Sequence, residues 1–256
     1  MAITAKPTAG SYSLNAGATH APTHLWMMDE NTGTTLADKG TGSHLTLALG
    51  ATTGAGPDWI SDGTHGTVLD WIQANEDYAE VAVSGLSGTH TLGVLCQISA
   101  GTGNRFIFQF EDPAVSSKKA LVRFNGDETI SASSQFADTA TTNLYATSNP
   151  SLGTWIWVMC RFSDTDLSVS FDGAAWETDV VSHVGLVAGL TTFTVGADRD
   201  SGPSGWMDDP IGAVAWWTSS KSDAEIASIY NSGNIWAGMG IGSGTTISPN
   251  IAGLSV

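Results

Sequence analysis

The residues best placed to do chemistry are carboxylates. Asp198, Asp200 and the Asp208–Asp209 pair lie in one Gly-containing stretch, and Asp29 and Asp38 flank an early turn. A hard cation such as Ca2+ takes about six to eight oxygens from carboxylates, carbonyls and water, which loops of this kind supply. These aspartates are therefore candidate Ca2+ ligands. The plainer alternative is that Asp29 and Asp209 anchor turns by accepting hydrogen bonds from backbone N–H groups, while Asp198 and Asp200 are loop residues in water. Glycoside hydrolysis would need two carboxylates about 5–5.5 Å apart, or further apart with water between them. On a strand, that pattern is a set of acids at same-face positions. The nearest approach is Glu76, Asp77 and Glu80, but Glu76 and Asp77 are neighbours that point to opposite faces. No hydrolase site is expected. A Gly-x-Ser-x-Gly nucleophile elbow is also missing, and His20, His24, His44, His65, His90 and His183 show no metal-ligand spacing.

The second group is aromatic. The chain holds 10 Trp, and an indole face packs well against the C–H face of a pyranose ring. Trp26, Trp71, Trp155, Trp157 and Trp216 lie in alternating strand-like runs and read as core. Trp59, Trp176, Trp206 and Trp236 lie beside Gly, Asp or Pro in turn-like contexts, so they are the candidate contacts for a glycan or protein partner. Charge narrows the partners further. With 9 basic against 25 acidic residues and a net charge of -16, the chain lacks the cationic footprint that nucleic acid or an anionic membrane requires. Cys96 and Cys160 sit inside apolar alternating runs and read as buried small hydrophobes.

The elements that must position these residues are short strands. Runs of Val, Ile, Leu, Phe and Trp recur at about 8–15-residue spacing between Gly, Asn, Asp and Ser, the pattern of an all-β sandwich or barrel. In Arg105–Phe110, strict alternation places Phe106, Phe108 and Phe110 on one face and Ile107 and Gln109 on the other. Trp155–Phe162 is apolar on both faces, so it should be central and covered on both sides. One helix is expected, Ser222–Tyr230, with Ser222 and Glu225 in capping-box positions. Residues 1–24 and 234–256 are rich in Ala, Gly, Ser and Thr and read as extended arms flanking a domain over 25–233.

The ordered motifs resemble a family. His24–Leu36 with Asp38 and Gly40, Asp70–Val83, Thr89–Leu95, Trp155–Phe162, Leu167–Gly173, and the run from Phe193 through Asp209 to Tyr230 resemble the laminin-G-like members of the concanavalin A-like superfamily. The resemblance implies a jelly-roll β-sandwich with one short C-terminal helix, and in many members a bound Ca2+ ion. With no secretory apolar run at the N-terminus, the leading expectation is a non-enzymatic bacteriophage virion protein, a capsid decoration or tail component. Its terminal arms would dock on other virion proteins by strand addition. A homo-oligomer is expected, and no direct contact with nucleic acid or membrane. The alternative is a calcium-dependent carbohydrate-binding or adhesion module of a bacterial surface protein, working at the extracellular surface. A glycoside hydrolase ranks last.

Overall fold

The computed structural model describes residues 2–101, 103–115, 118–135, 142–163, 165–180, 186, 189–198 and 205–243. Its strands are β1 (Tyr12–Leu14), β2 (His24–Trp26), β3 (Thr35–Leu36), β4 (Leu47–Ala51), β5 (Asp58–Asp62), β6 (Gly66–Asp70), β7 (Asp77–Ala82), β8 (His90–Gln97) and β9 (Arg105–Glu111). They continue with β10 (Lys119–Phe124), β11 (Ile130–Gln135), β12 (Thr142–Tyr145), β13 (Trp155–Phe162), β14 (Asp166–Phe171), β15 (Glu177–Val180), β16 (Thr192–Val195), β17 (Pro210–Trp217) and β18 (Ile241–Ser243). Helices α1 (Asp223–Tyr230) and α2 (Ile235–Gly238) precede β18.

Two antiparallel sheets form the expected jelly-roll-like sandwich. One runs β15-β14-β13-β8-β17-β6-β5, with β2 beside β17, and the other runs β12-β11-β10-β9-β16-β7-β4-β3. Between them lies an apolar core that draws Ile156, Val158 and Cys160 from the first sheet and Phe108, Phe110, Val122 and Phe193 from the second. The opposite face of the first sheet is covered too. Trp157 and Met159 pack there with Ile226, Ile229 and Tyr230 of α1 and with Ile235 and Trp236 of α2. This two-sided burial is why β13 reads as apolar throughout. Gly93 makes room for it, because a Cβ there would lie 2.2 Å from the Trp157 ring. Cys96 and Cys160 are buried free thiols.

One face assignment is corrected by the structure. The β10–β9 register jumps between Val122, opposite Phe108, and Arg123, opposite Phe106. Ile107 is the extra residue of a β-bulge, which re-aims the side chains beyond it. Ile107 joins Phe108 and Phe110 in the core, whereas Phe106 turns to the outer face, under the Arg123 guanidinium at 5.9 Å.

Residues 2–24, within the segment read as an extended arm, lie against the sandwich. Ile3 is buried among the residues of the helix-covered face. β1 pairs antiparallel with β18, Tyr12 opposite Ser243. Lys6 anchors the segment, its buried Nζ donating to the carbonyls of Met27 (2.8 Å), Met28 (3.0 Å) and Gly212 (3.3 Å), and also to that of Thr67. At the other end, α1 begins with the expected capping box between Ser222 and Glu225. Its stop comes from Asn231, in a left-handed conformation at φ 45°. Of the second arm, residues 234–243 form α2 and β18 and the remainder lies outside the described residues.

Candidate functional site

The carboxylates expected around a cation are dispersed and engaged by the protein. Asp29 accepts from Tyr12 Oη at 2.7 Å and pairs with Lys39. Asp38 accepts from the backbone N–H groups of Leu25, Gly40 and Leu45 and contacts His24 Nδ1 at 2.6 Å. Asp198 accepts from Gln109 Nε2 at 3.2 Å and faces Lys119 at 3.6 Å. Asp208 accepts from Gln73 N, and Asp209 from Arg105 and Ser99 N. Asp200 lies outside the described residues. Among the described residues, no three His, Cys, Asp or Glu side chains gather closely enough to hold a metal ion.

The turn tryptophans are more buried than their contexts imply. Trp206 and Trp236 are 5% and 2% exposed, and the Trp236 indole N–H donates to Thr4 O at 3.0 Å. Trp59 and Trp176 are half-buried, and their indole N–H groups donate to Gly33 O and Lys221 O. The Arg161 guanidinium also covers the Trp176 ring at 5.1 Å.

The tryptophan that borders a polar cavity is Trp155, which the alternation assigned to the core. It opens β13 and packs, partly buried, at the border of the apolar cluster on the helix-covered face. Its ring lies half-buried over Gly212, where a Cβ would approach to 3.2 Å. The indole N–H donates to Asp62 Oδ2 at 3.3 Å, and the ring meets the His65 imidazole edge-on at 4.8 Å. Trp155 and His65 line a cavity of about 450 Å³ together with Ala2, Ile3, Thr64, Ser151, Thr154 and Asp172.

Each polar group of this cavity is placed by a turn. Asp62 ends β5 and accepts from Thr64 N at 2.8 Å and His65 N at 2.6 Å, which closes the β5–β6 hairpin and fixes His65. Burial pushes Asp62 upward, yet the bonds from His65, Thr64 and Trp155 outweigh it and hold the carboxyl below its usual range. Asp172 sits in the left-handed region at φ 49° in the Asp-Gly turn after β14 and accepts from Trp157 N at 2.9 Å. Burial raises its pKa. His65 is 1% exposed and its Nδ1 has no hydrogen-bond partner. Burial, opposed by Asp62 and reinforced by Lys6, lowers the His65 pKa and favours the neutral ring. A buried nitrogen without a partner costs free energy.

A second polar surface covers the outer face of the other sheet. Gln109 Nε2 donates to Glu111 Oε2 at 2.8 Å as well as to Asp198, and Thr194 Oγ1 donates to Glu111 Oε1 at 3.3 Å. A groove of about 500 Å³ begins beside it, with Glu80 and Glu111 in its wall. Glu111 is tied into this network, and Gln109 stands at the same-face position two residues from it, where a glycosidase would carry a second acid. Glu177 and Asp179 share a face of the edge strand β15, but Glu177 is spent on Thr147 and Ser148.

No protein-family model and no curated protein matches the chain. Solved structures do match its fold. The receptor-binding domain of botulinum neurotoxin mosaic serotype C/D aligns over 83% of this chain and 51% of its own length, with TM-score 0.60 and 11% identity. Botulinum neurotoxin type C, which enters cells in dependence on interaction with two ganglioside molecules, aligns over 83% and 51% with TM-score 0.62 and 9% identity. The binding domain of botulinum neurotoxin DC, in complex with rat synaptotagmin II, aligns over 83% and 51% with TM-score 0.60 and 10% identity. The chain thus spans about half the length of these domains, and at such identity the likeness concerns the fold. It corrects the expected virion assignment, because the structures matched are neurotoxin receptor-binding domains and not phage capsid or tail proteins.

Proposed function

We propose that this chain is a non-enzymatic glycan-binding module of a receptor-binding or adhesive protein that acts at the extracellular surface. The observation that carries the reading is the cavity at the start of β13. An indole ring, a buried imidazole with an unused nitrogen, a carboxylate and three hydroxyl side chains converge there on a space of about 450 Å³, within the range of ordinary small-ligand pockets. Sugars present this combination in reverse, as an apolar C–H face beside hydroxyls that both donate and accept. The receptor-binding domains that share the fold support a recognition role, and one of them belongs to a toxin that uses gangliosides. No described helix is long and apolar enough to cross a membrane.

A glycan array probed with the whole chain tests the proposal, followed by titration calorimetry of any sugar retained. Trp155→Ala is expected to weaken binding at least about tenfold, equivalent to about 1.4 kcal/mol, while the far-ultraviolet dichroism stays that of the parent. Retention of no glycan, or affinity unchanged in the variant, would remove the cavity from the account.

A further inference from the structure

We infer that His90 is an acid-sensitive latch on the segment joining β7 to β8: as a neutral ring it pins residues 84–87 to the sandwich, and on protonation it lets them go. Two hydrogen bonds carry the inference. The Trp216 indole N–H meets His90 Nδ1 at 3.0 Å, and His90 Nε2 meets the carbonyl oxygen of Ser87 at 3.2 Å. An indole nitrogen only donates and a carbonyl oxygen only accepts, so Nδ1 must be the bare acceptor and Nε2 must carry the proton. The ring is thereby held neutral and in one tautomer. A second proton would go to Nδ1 and set two N–H groups against each other.

Trp216 is poorly placed to yield. It is 2% exposed, and its ring packs against Phe110, Phe193 and His24 at 5.0, 5.7 and 4.7 Å. His90 must therefore turn away on protonation, and its bond to Ser87 goes with it. Among the described residues, that is the one hydrogen bond reaching residues 84–87. On either side the chain is anchored, since Val83 N donates to Thr191 O at 2.8 Å and Gly88 exchanges bonds with Leu186 at 3.1 and 2.8 Å. Gly85 and Gly88 lie in the left-handed region at φ 67° and 79°, backbone that glycine adopts without strain. The segment lines a cavity of about 350 Å³ with His24, Leu45 and Trp216, so its release uncovers Leu86, which is otherwise buried.

The surroundings add to the conflict. His90 is buried, which lowers its pKa; the Ser87 bond opposes this, and the charge on His24 lowers it further. His24 belongs to β2, and its Nδ1 contacts Asp38 at 2.6 Å. The flanking strands bring uncharged groups, Phe162 of β13 opposite His90 and Trp217 of β17 opposite Thr91. Arg161, next to Phe162, points to the other face and bonds Asp166 at 2.9 Å. A histidine whose folded pKa is depressed contributes its contacts in full above the unfolded value and loses them as pH falls toward the folded one. The latch is closed at neutral pH and opens in acid.

The test is amide hydrogen exchange of the whole chain, read by mass spectrometry at about pH 7.5 and about pH 5, on either side of an ordinary imidazole pKa, and corrected for the intrinsic rates. Peptides spanning residues 84–88 are expected to exchange at least about tenfold faster in acid, the factor that one unit of pKa displacement supplies, while those of β8 and β13 keep their protection. His90→Gln, which offers an acceptor and a donor but does not titrate, is expected to abolish the difference. Magnetic resonance of labelled imidazole nitrogens in the parent chain guards against a variant that fails to fold. It should show His90 protonated on Nε2 alone at neutral pH, and its titration should coincide with the faster exchange. Equal protection of residues 84–88 at both pH values overturns the inference. So does acid-speeded exchange that survives in His90→Gln, or a neutral His90 that carries its proton on Nδ1.

Discussion

Asp38 shows how one side chain fixes a corner of this protein. It is 7% exposed, and its oxygens serve three backbone N–H groups and the His24 ring. Burial pushes its pKa upward, yet those bonds together outweigh burial and leave the carboxyl below its usual value. Its stabilising effect is therefore fully present above the unfolded-state pKa and is lost as pH falls through the depressed folded value. Asp38→Asn is expected to cost about 2–3 kcal/mol near neutral pH, since a buried donor set is left poorly matched. Urea unfolding should show a lower midpoint with an unchanged slope. From the sequence Asp38 was a candidate cation ligand beside the first turn, and its use as an anchor for three backbone N–H groups emerged only from the fold. The role of Trp155 was not legible there either, because alternation sorts side chains by face and is silent on where along a strand the cover of that face ends.

Among the elements, the long strands β8, β9, β13 and β17 show clear apolar periodicity and lie within a residue or two of where it places them. The short ones, β3, β5, β12 and β15, hold only 2 to 5 residues, too few for a period to emerge, and they are recognised only through their partners. The bulge at Ile107 is likewise invisible in RFIFQF, because an unbroken alternation looks the same with or without an extra residue. The N-terminal segment is the largest departure. Its Ala, Thr and Ser composition describes an arm, but one lysine and one three-residue strand hold it to the body. Burial lowers the Lys6 pKa to about 8, so keeping it charged has a cost that the four carbonyls offset. Lys6→Ala should strand those carbonyls and release residues 2–14, at a cost of about 2–3 kcal/mol. Amide hydrogen exchange that stays as slow there as in the parent would show that β1–β18 pairing suffices without the lysine.

For the whole molecule, the opening charge imbalance becomes a set of local repulsions. Asp70 is one of them. Its pKa is raised by burial first and then by Asp208, Asp209, Asp58 and Asp77. A carboxyl whose folded pKa is raised destabilises the fold fully above that pKa, and the penalty fades as pH falls toward the unfolded value. Asp70→Asn should therefore raise Tm by about 1–3 °C at neutral pH, with the gain shrinking in scans toward pH 4. An unchanged or lower Tm at neutral pH would mean that the Asp70 carboxylate contributes more through hydrogen bonding than it costs through repulsion. The sequence by itself determined the all-β sandwich, the doubly covered central strand and the capped helix, because periodicity and capping are properties of neighbouring residues. Only the tertiary structure decided that Asp29, Asp38, Asp198, Asp208 and Asp209 answer backbone groups and side chains of the chain itself. It alone also placed Trp155, His65 and Asp172 around one cavity. These three residues come from a strand end and two separate turns, and the distances between them are set by how the sheet and the N-terminal segment pack, which no local pattern encodes.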